Sequence, residues 1–220
     1  MLLVLSTVPE DQARDVPISV VPRVVFDVPL DPHTIDPDAF RLSSGELRPG
    51  GTLVYSVIDR SLTFTPGVTL RTRLAYVARL ADDVRGIDGS APDEPVEILF
   101  FTGLDDRGQP PERPDPTFAE DIRPLFEGRC ASCHGGERPA ADLRLAVDDD
   151  LVAAATRDSN EWRGWSLVAP GSPERSYLMY KVVGAPGLVG GRMPPDGTLG
   201  YDERKNLERW ITLGARSEDP

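Results

Sequence analysis

Both cysteines of this 220-residue chain lie in one pentapeptide, Cys130-Ala131-Ser132-Cys133-His134. Two thiols about one helical turn apart, followed at once by an imidazole, suit the anchoring of a flat macrocycle. Each thiol bonds one vinyl-derived carbon, and the imidazole meets the metal from below. C-x-x-C-H is the attachment signature of c-type haem, so one covalent haem c per chain is expected. Two other chemistries use part of the pattern. A thioredoxin-like dithiol requires a βαβ pattern around the pair, which is missing here. A zinc site requires two further soft ligands, and the only other histidine is the distant His33.

A haem iron either takes a second axial ligand or leaves that position open. The candidate is Met193, in Gly191-Arg192-Met193-Pro194-Pro195-Asp196-Gly197. A thioether is a soft ligand, and Met/His ligation raises the potential of such haems. The two prolines stiffen the loop beyond the sulfur. The competing role is gap-filling in a core, which a Gly/Pro loop suits poorly. Met179 reads as a helical packing residue lining the pocket, and His33 as an exposed turn residue. Lys181 would bind iron only when deprotonated, which its ordinary pKa opposes at neutral pH. A carbonyl from residues 137–142 is expected to accept the second imidazole N–H. Arg192 or Arg129 is expected to meet a propionate or simply face solvent. Trp162, Trp165 and Trp210 are large enough to wall the pocket, Trp210 more simply packing on Phe118 or Ile122. The run Asp148-Asp149-Asp150 reads as a solvated turn or helix start.

The elements that position these residues differ along the chain. Apolar and β-branched runs at 2–7, 22–26, 40–42, 52–58, 61–65, 72–80 and 96–102 alternate with turn signals and predict a β-sandwich. Residues 59–61 predict a hairpin turn, and Tyr76 sits where a tyrosine corner would lie. No cysteine is available for an inter-sheet disulfide. A Pro-rich linker follows at 104–116. From 117 the pattern turns helical: Thr117 and Glu120 form a capping box, and Phe118, Ile122, Leu125 and Phe126 share a face. Pro124 should kink or break this helix, and Gly128 should end it. A last helix at 201–213 carries Leu207, Trp210 and Ile211 on one face, with Gly214 as its stop.

Four segments of the first part resemble the bacterial Ig-like domain of surface-layer and secreted proteins: residues 8–17 and 24–31, then Leu62-Thr63-Phe64-Thr65-Pro66 with Phe100-Phe101-Thr102. Such domains act as spacers or adhesion modules. Residues 118–126, the Cys130–His134 motif with Gly135, Leu143-Arg144-Leu145, 168–178, Met193-Pro194-Pro195 and 210–215 resemble, in order, the cytochrome c fold of multi-domain bacterial proteins. The two resemblances imply a two-domain chain, all-β then all-α: an Ig-like β-sandwich at 1–103 and a cytochrome c helical fold at 117–220. They further imply His134 as proximal ligand, Met193 as distal ligand, and Cys130 and Cys133 as thioether anchors.

Composition bounds the partners. The formal net charge is −12, with −6 on either side of Gly103. That acidity opposes nucleic acid and anionic membrane surfaces and leaves redox proteins of the cell envelope as expected partners. No stretch approaches the ~20 apolar residues of a membrane span. Covalent haem attachment points to export, to the periplasm or cell surface, although residues 1–6 are too short for a signal peptide. The expected role is single-electron transfer without enzymatic turnover. The alternatives are an open-iron peroxidase or gas binder, the electron-accepting part of a dehydrogenase, and a surface adhesion protein.

Overall fold

In the first part of the chain the alternating apolar runs form eight strands in two four-stranded sheets. They are β1 (Val4–Val8), β2 (Ala13–Val16), β3 (Arg23–Phe26), β4 (Phe40–Ser43), β5 (Gly51–Ser56), β6 (Ser61–Pro66), β7 (Ala75–Leu80) and β8 (Glu97–Thr102). The sheet orders are β1-β3-β6-β5 and β2-β8-β7-β4. The computed structural model describes residues 1–104, 114–145 and 157–217, so most of the linker segment and the Asp148–Asp150 run lie outside the described residues. The chain divides into two compact units, Met1–Glu112 and Arg113–Pro220.

Period-two patterning decides the faces of the β unit. Val24, Phe26, Leu62 and Phe64 of one sheet and Leu42, Tyr76, Ala78, Ile98 and Phe100 of the other are buried. This is the β-sandwich pattern of inward alternate residues. Tyr76 is fully buried, stacks on Phe100 at 5.8 Å and accepts the Arg71 N–H on its hydroxyl at 3.0 Å. Its oxygen thus ties a strand to backbone five residues upstream, as a tyrosine corner does. Thr102 reinforces the same turn, donating to the Arg71 carbonyl and accepting from the Leu74 N–H. This turn begins β7 at Ala75, three residues later than the expected start.

Two further details depart from expectation. The β5–β6 hairpin closes with Ser56 opposite Ser61, so its loop is 57–60. Val57 and Ile58 lie buried within that loop, which is why they mimic strand in the sequence. The strand β2 carries no alternating pattern, since only Val16 of its four residues is buried. It is held by its partner: it runs parallel to β8, flanked by the Gln12 N–H on the Leu99 carbonyl at 2.7 Å and the Gly103 N–H on the Val16 carbonyl at 2.8 Å.

The second unit is helical and built from short pieces. A π-helical turn, Phe118–Ile122, leads into α1 (Arg123–Arg129), α2 (Ala131–His134), α3 (Tyr177–Val183) and α4 (Tyr201–Thr212). No helix among the described residues is long and apolar enough to cross a membrane. Thr117 caps the first turn through the Glu120 N–H at 3.2 Å, as expected. The reach-back carboxylate, however, is Asp121, which accepts the Thr117 N–H at 2.9 Å. The wider π turn moves the residue that faces the cap one place along the chain. The same turn accommodates Pro124, which falls in the first turn of α1, where a missing N–H costs little. Gly128 does not end this helix; α1 runs on to Arg129 and breaks at Cys130.

The terminal helices of this unit are bound by aromatic packing. Trp210 of α4 is buried, with Phe118 and Phe126 each at 6.1 Å and its Nε1 donating to the Arg216 carbonyl at 2.8 Å. Each aromatic pair adds about 0.5–1.5 kcal/mol beyond simple burial. Polar links run alongside, Asn206 donating to Asp121 at 2.9 Å and Arg209 meeting Asp115 at 2.7 Å. Gly214, at φ +101, turns the chain out of α4.

Candidate functional site

The break between α1 and α2 sets the first half of the site. Cys130 leaves helical geometry at φ −122°, and its carbonyl accepts the N–H groups of Cys133 (3.2 Å) and His134 (2.9 Å). One short helical turn therefore carries both thiols and the imidazole. Gly135 must follow, because a Cβ there would lie 2.6 Å from the Ala131 carbonyl oxygen.

The loop after this turn fixes the imidazole. Nδ1 of His134 lies 3.1 Å from the Ala140 carbonyl oxygen and 3.2 Å from that of Leu143. With two acceptors on that side, Nδ1 carries the proton and Nε2 keeps its lone pair, the tautomer a metal requires. The expected acceptor range, 137–142, contains Ala140; Leu143 lies just past it. Ala141 and Asp142 both adopt φ +52°. Two successive non-glycine residues in the left-handed region cost about 1 kcal/mol or more each. They bend the loop so that carbonyls three residues apart meet at one nitrogen. The Leu145 N–H on the His134 carbonyl, at 2.6 Å, closes the arrangement.

Cys130, Cys133, His134 and Met193 all line one cavity of about 510 Å³, within the usual size of cofactor sites. Leu143, Leu145, Leu167, Leu178 and Leu199 supply its apolar wall. The sequence is consistent with that wall only in part, because nothing in periodicity brings Leu167 and Leu199 to the same point. Among the described residues no three His, Cys, Asp or Glu side chains gather as a metal-binding group. One imidazole with a free Nε2, one thioether and two free thiols in an apolar cavity do fit a covalently anchored haem.

The thiols differ. Burial pushes the Cys130 thiol up to about 11, with Arg129 pulling the other way, while Cys133 is exposed. Around neutral pH the Cys130 thiol therefore stays protonated, and the thiolate is the nucleophile. In the cofactor-free chain iodoacetamide is therefore expected to alkylate Cys133 about tenfold or more faster than Cys130. Peptide mass spectrometry of a time course checks this; equal rates would mean that the turn is open in solution.

Several expected neighbours lie elsewhere. Met179 is fully buried but does not line the cavity; its helix instead presents Tyr177, Leu178, Lys181 and Val182. Trp162 and Trp165 do not wall the cavity either. They pack on each other at 5.1 Å and on Tyr177 and Tyr180, where aromatic faces find better partners. Arg192 also misses it, its stem lying over Gly184. Arg129 does line the cavity, yet it donates to the Thr198 carbonyl at 2.9 Å. Sequence reasoning passed over Arg157, an exposed residue at the cavity rim. His33 sits in the β unit, its Nδ1 2.9 Å from Asp31.

Comparison with known proteins bears on each unit. The bacterial Ig-like domain family matches residues 2–103, and the Planctomycete cytochrome C family matches residues 130–197. Among solved structures, surface layer protein SbsC, domains 1–6, is 17% identical with a TM-score of 0.36, covering 47% of this chain and 14% of its own. The N-terminal part of SbsC is 19% identical with a TM-score of 0.37, covering 47% and 24%. CopC from Methylosinus trichosporium OB3b is 12% identical with a TM-score of 0.37, covering 47% and 94%. This chain thus spans less than a quarter of the SbsC structures it is similar to. None of the curated proteins compared matches it.

Proposed function

We propose that this chain, a bacterial Ig-like domain followed by a cytochrome domain, is an exported c-type cytochrome that carries single electrons. The observation that carries the reading is the held imidazole: His134 Nδ1 is committed to the Ala140 and Leu143 carbonyls, and the residue lines a cavity shared with both cysteines and Met193. In this reading Cys130 and Cys133 anchor haem c through thioethers, His134 is the proximal ligand and Met193 the distal one. Bound haem supplies a one-electron couple, and the chain supplies burial, orientation and docking. The leucine wall lowers the local dielectric, and the thioether biases the couple towards the reduced state. His134 and Met193 would hold the iron of such a haem, and in this reading the protein would act as a carrier rather than an enzyme.

The helical unit takes the domain span 117–220 and the cytochrome c helical fold in this proposal, with the Ig-like unit at 1–103 as spacer or docking module. Attachment of haem c places the chain outside the cytoplasm, in the periplasm or at the cell surface, where redox proteins of the envelope are its partners. Expression with export in a host competent for haem maturation tests the whole. The expected product is red, with a six-coordinate low-spin spectrum and haem that survives denaturation. A colourless product would end the haem reading, and a high-spin one would favour an open-iron enzyme.

A further inference from the structure

Lysine is scarce in this chain, which has 22 arginines and two lysines, Lys181 and Lys205. Lys181, on α3, is 6% exposed. Its ammonium donates to the Val189 carbonyl, lies 3.4 Å from the Gly191 carbonyl, and meets the Glu161 carboxylate at 2.7 Å. An ammonium has three donors and no acceptor, and here three acceptors surround it. Gly190 and Gly191, at φ +69° and +78°, turn the backbone so that the carbonyls on either side of Gly190 converge. The Lys181 carbonyl in turn accepts the Met193 N–H at 3.0 Å. One residue thus holds the loop to Met193 twice, by side chain and by main chain. Glu161 is itself held by the Tyr177 hydroxyl at 2.7 Å. Burial works against its charge, but the Lys181 and Tyr177 contacts prevail and keep its carboxyl below the usual range.

We propose that Lys181 is a positioning residue for the Met193 thioether: its ammonium pins residues 189–191 and so holds the sulfur in the cavity against exchange for other ligands. This rests on the reading of Met193 as distal ligand. A thioether is a weak ligand, so its occupancy depends on how little freedom its loop retains. A guanidinium would not substitute, because its donors lie in one plane on three nitrogens and cannot diverge from a single nitrogen to three acceptors around it.

The test uses the haem-loaded chain and imidazole as competing ligand. Lys181→Leu removes the charge and brings no new sulfur to the cavity that Lys181 lines. It is expected to raise imidazole affinity about tenfold or more, the weight of one charge-assisted hydrogen bond. The weak near-infrared band of a thioether bound to ferric haem should fade with it. Unchanged imidazole affinity and band, in a chain where Met193→Ala does abolish that band, overturns the role of Lys181 alone. If Met193→Ala leaves the band and spectrum as they were, the distal-ligand reading falls first, and this inference with it. A second measurement needs no variant. Acetylation of the wild-type chain, followed by mass spectrometry, reports its two lysines separately. Lys181 is expected to react about tenfold or more slowly than Lys205 and to speed up when imidazole displaces Met193, with Lys205 as the constant reference. A Lys181 rate indifferent to imidazole overturns the clamp.

Discussion

Replacing both thiols, Cys130→Ala with Cys133→Ala, removes all covalent haem: the exported double variant has the mass of the bare polypeptide, and acidic organic solvent strips any residual colour. The chain has no other cysteine, so no second site takes over the attachment. The effect is all or none because a thioether either forms or does not. The fold is expected to tolerate the change in the cofactor-free chain, since Cys133 is exposed and Cys130 half-buried. Circular dichroism of wild type and double variant, both without haem, checks that point. Haem that stays covalently bound in the double variant would mean that the motif at Cys130 has been misassigned.

The second large effect is expected from Met193→Ala. The ferric spectrum changes from low-spin to high-spin, and the reduction potential falls by on the order of 0.1 V or more, a fraction of the roughly 0.8 V that axial ligands span. The sign follows from softness. A thioether favours ferrous iron, and the water that takes its place favours ferric. The proximal side is untouched, because His134 is held by two carbonyls that do not involve the Met193 loop. The same variant separates a ligand from a gap-filler. A core methionine cut to alanine costs about 2–5 kcal/mol of stability and leaves the spectrum alone. Met193 is only half-buried, so its loss is expected to cost stability little and the spectrum much. The opposite outcome would return Met193 to packing.

The four residues singled out in the sequence line one cavity, and they were more legible there than the elements around them. Cys130, Cys133 and His134 stand in a local pattern, because the haem attachment proposed for them needs them within one helical turn. Met193 was singled out from its loop, since a thioether between glycines and prolines has little packing to do, and it lines the same cavity as the two cysteines and His134. The strands that face one another were legible from period two, where one face of each is buried. The places where expectation failed share a cause. Only Val16 of β2 is buried, and that strand owes its place to β8. Val57 and Ile58 look like strand because burial, not pairing, requires their apolar side chains. Asp121 replaced Glu120 at the cap because a π turn changes the spacing that a capping box presumes. Trp162 and Trp165 went to an aromatic cluster that includes Tyr177 and Tyr180, a choice among partners that no local pattern expresses.

What the sequence by itself determined is therefore the chemistry: two thiols and an imidazole at covalent spacing, one soft sulfur downstream, and a β part ahead of a helical part. What only the tertiary structure decided is how that chemistry is held. The tautomer of His134 depends on carbonyls six and nine residues away, which meet only because Ala141 and Asp142 bend left-handed. The setting of Met193 depends on Lys181, twelve residues upstream, and Lys181 on Glu161, twenty further back. The residues proposed as covalent and axial ligands are identities, written one residue at a time. The hydrogen bonds that aim them join distant segments, and they exist only once burial has closed the cavity around them.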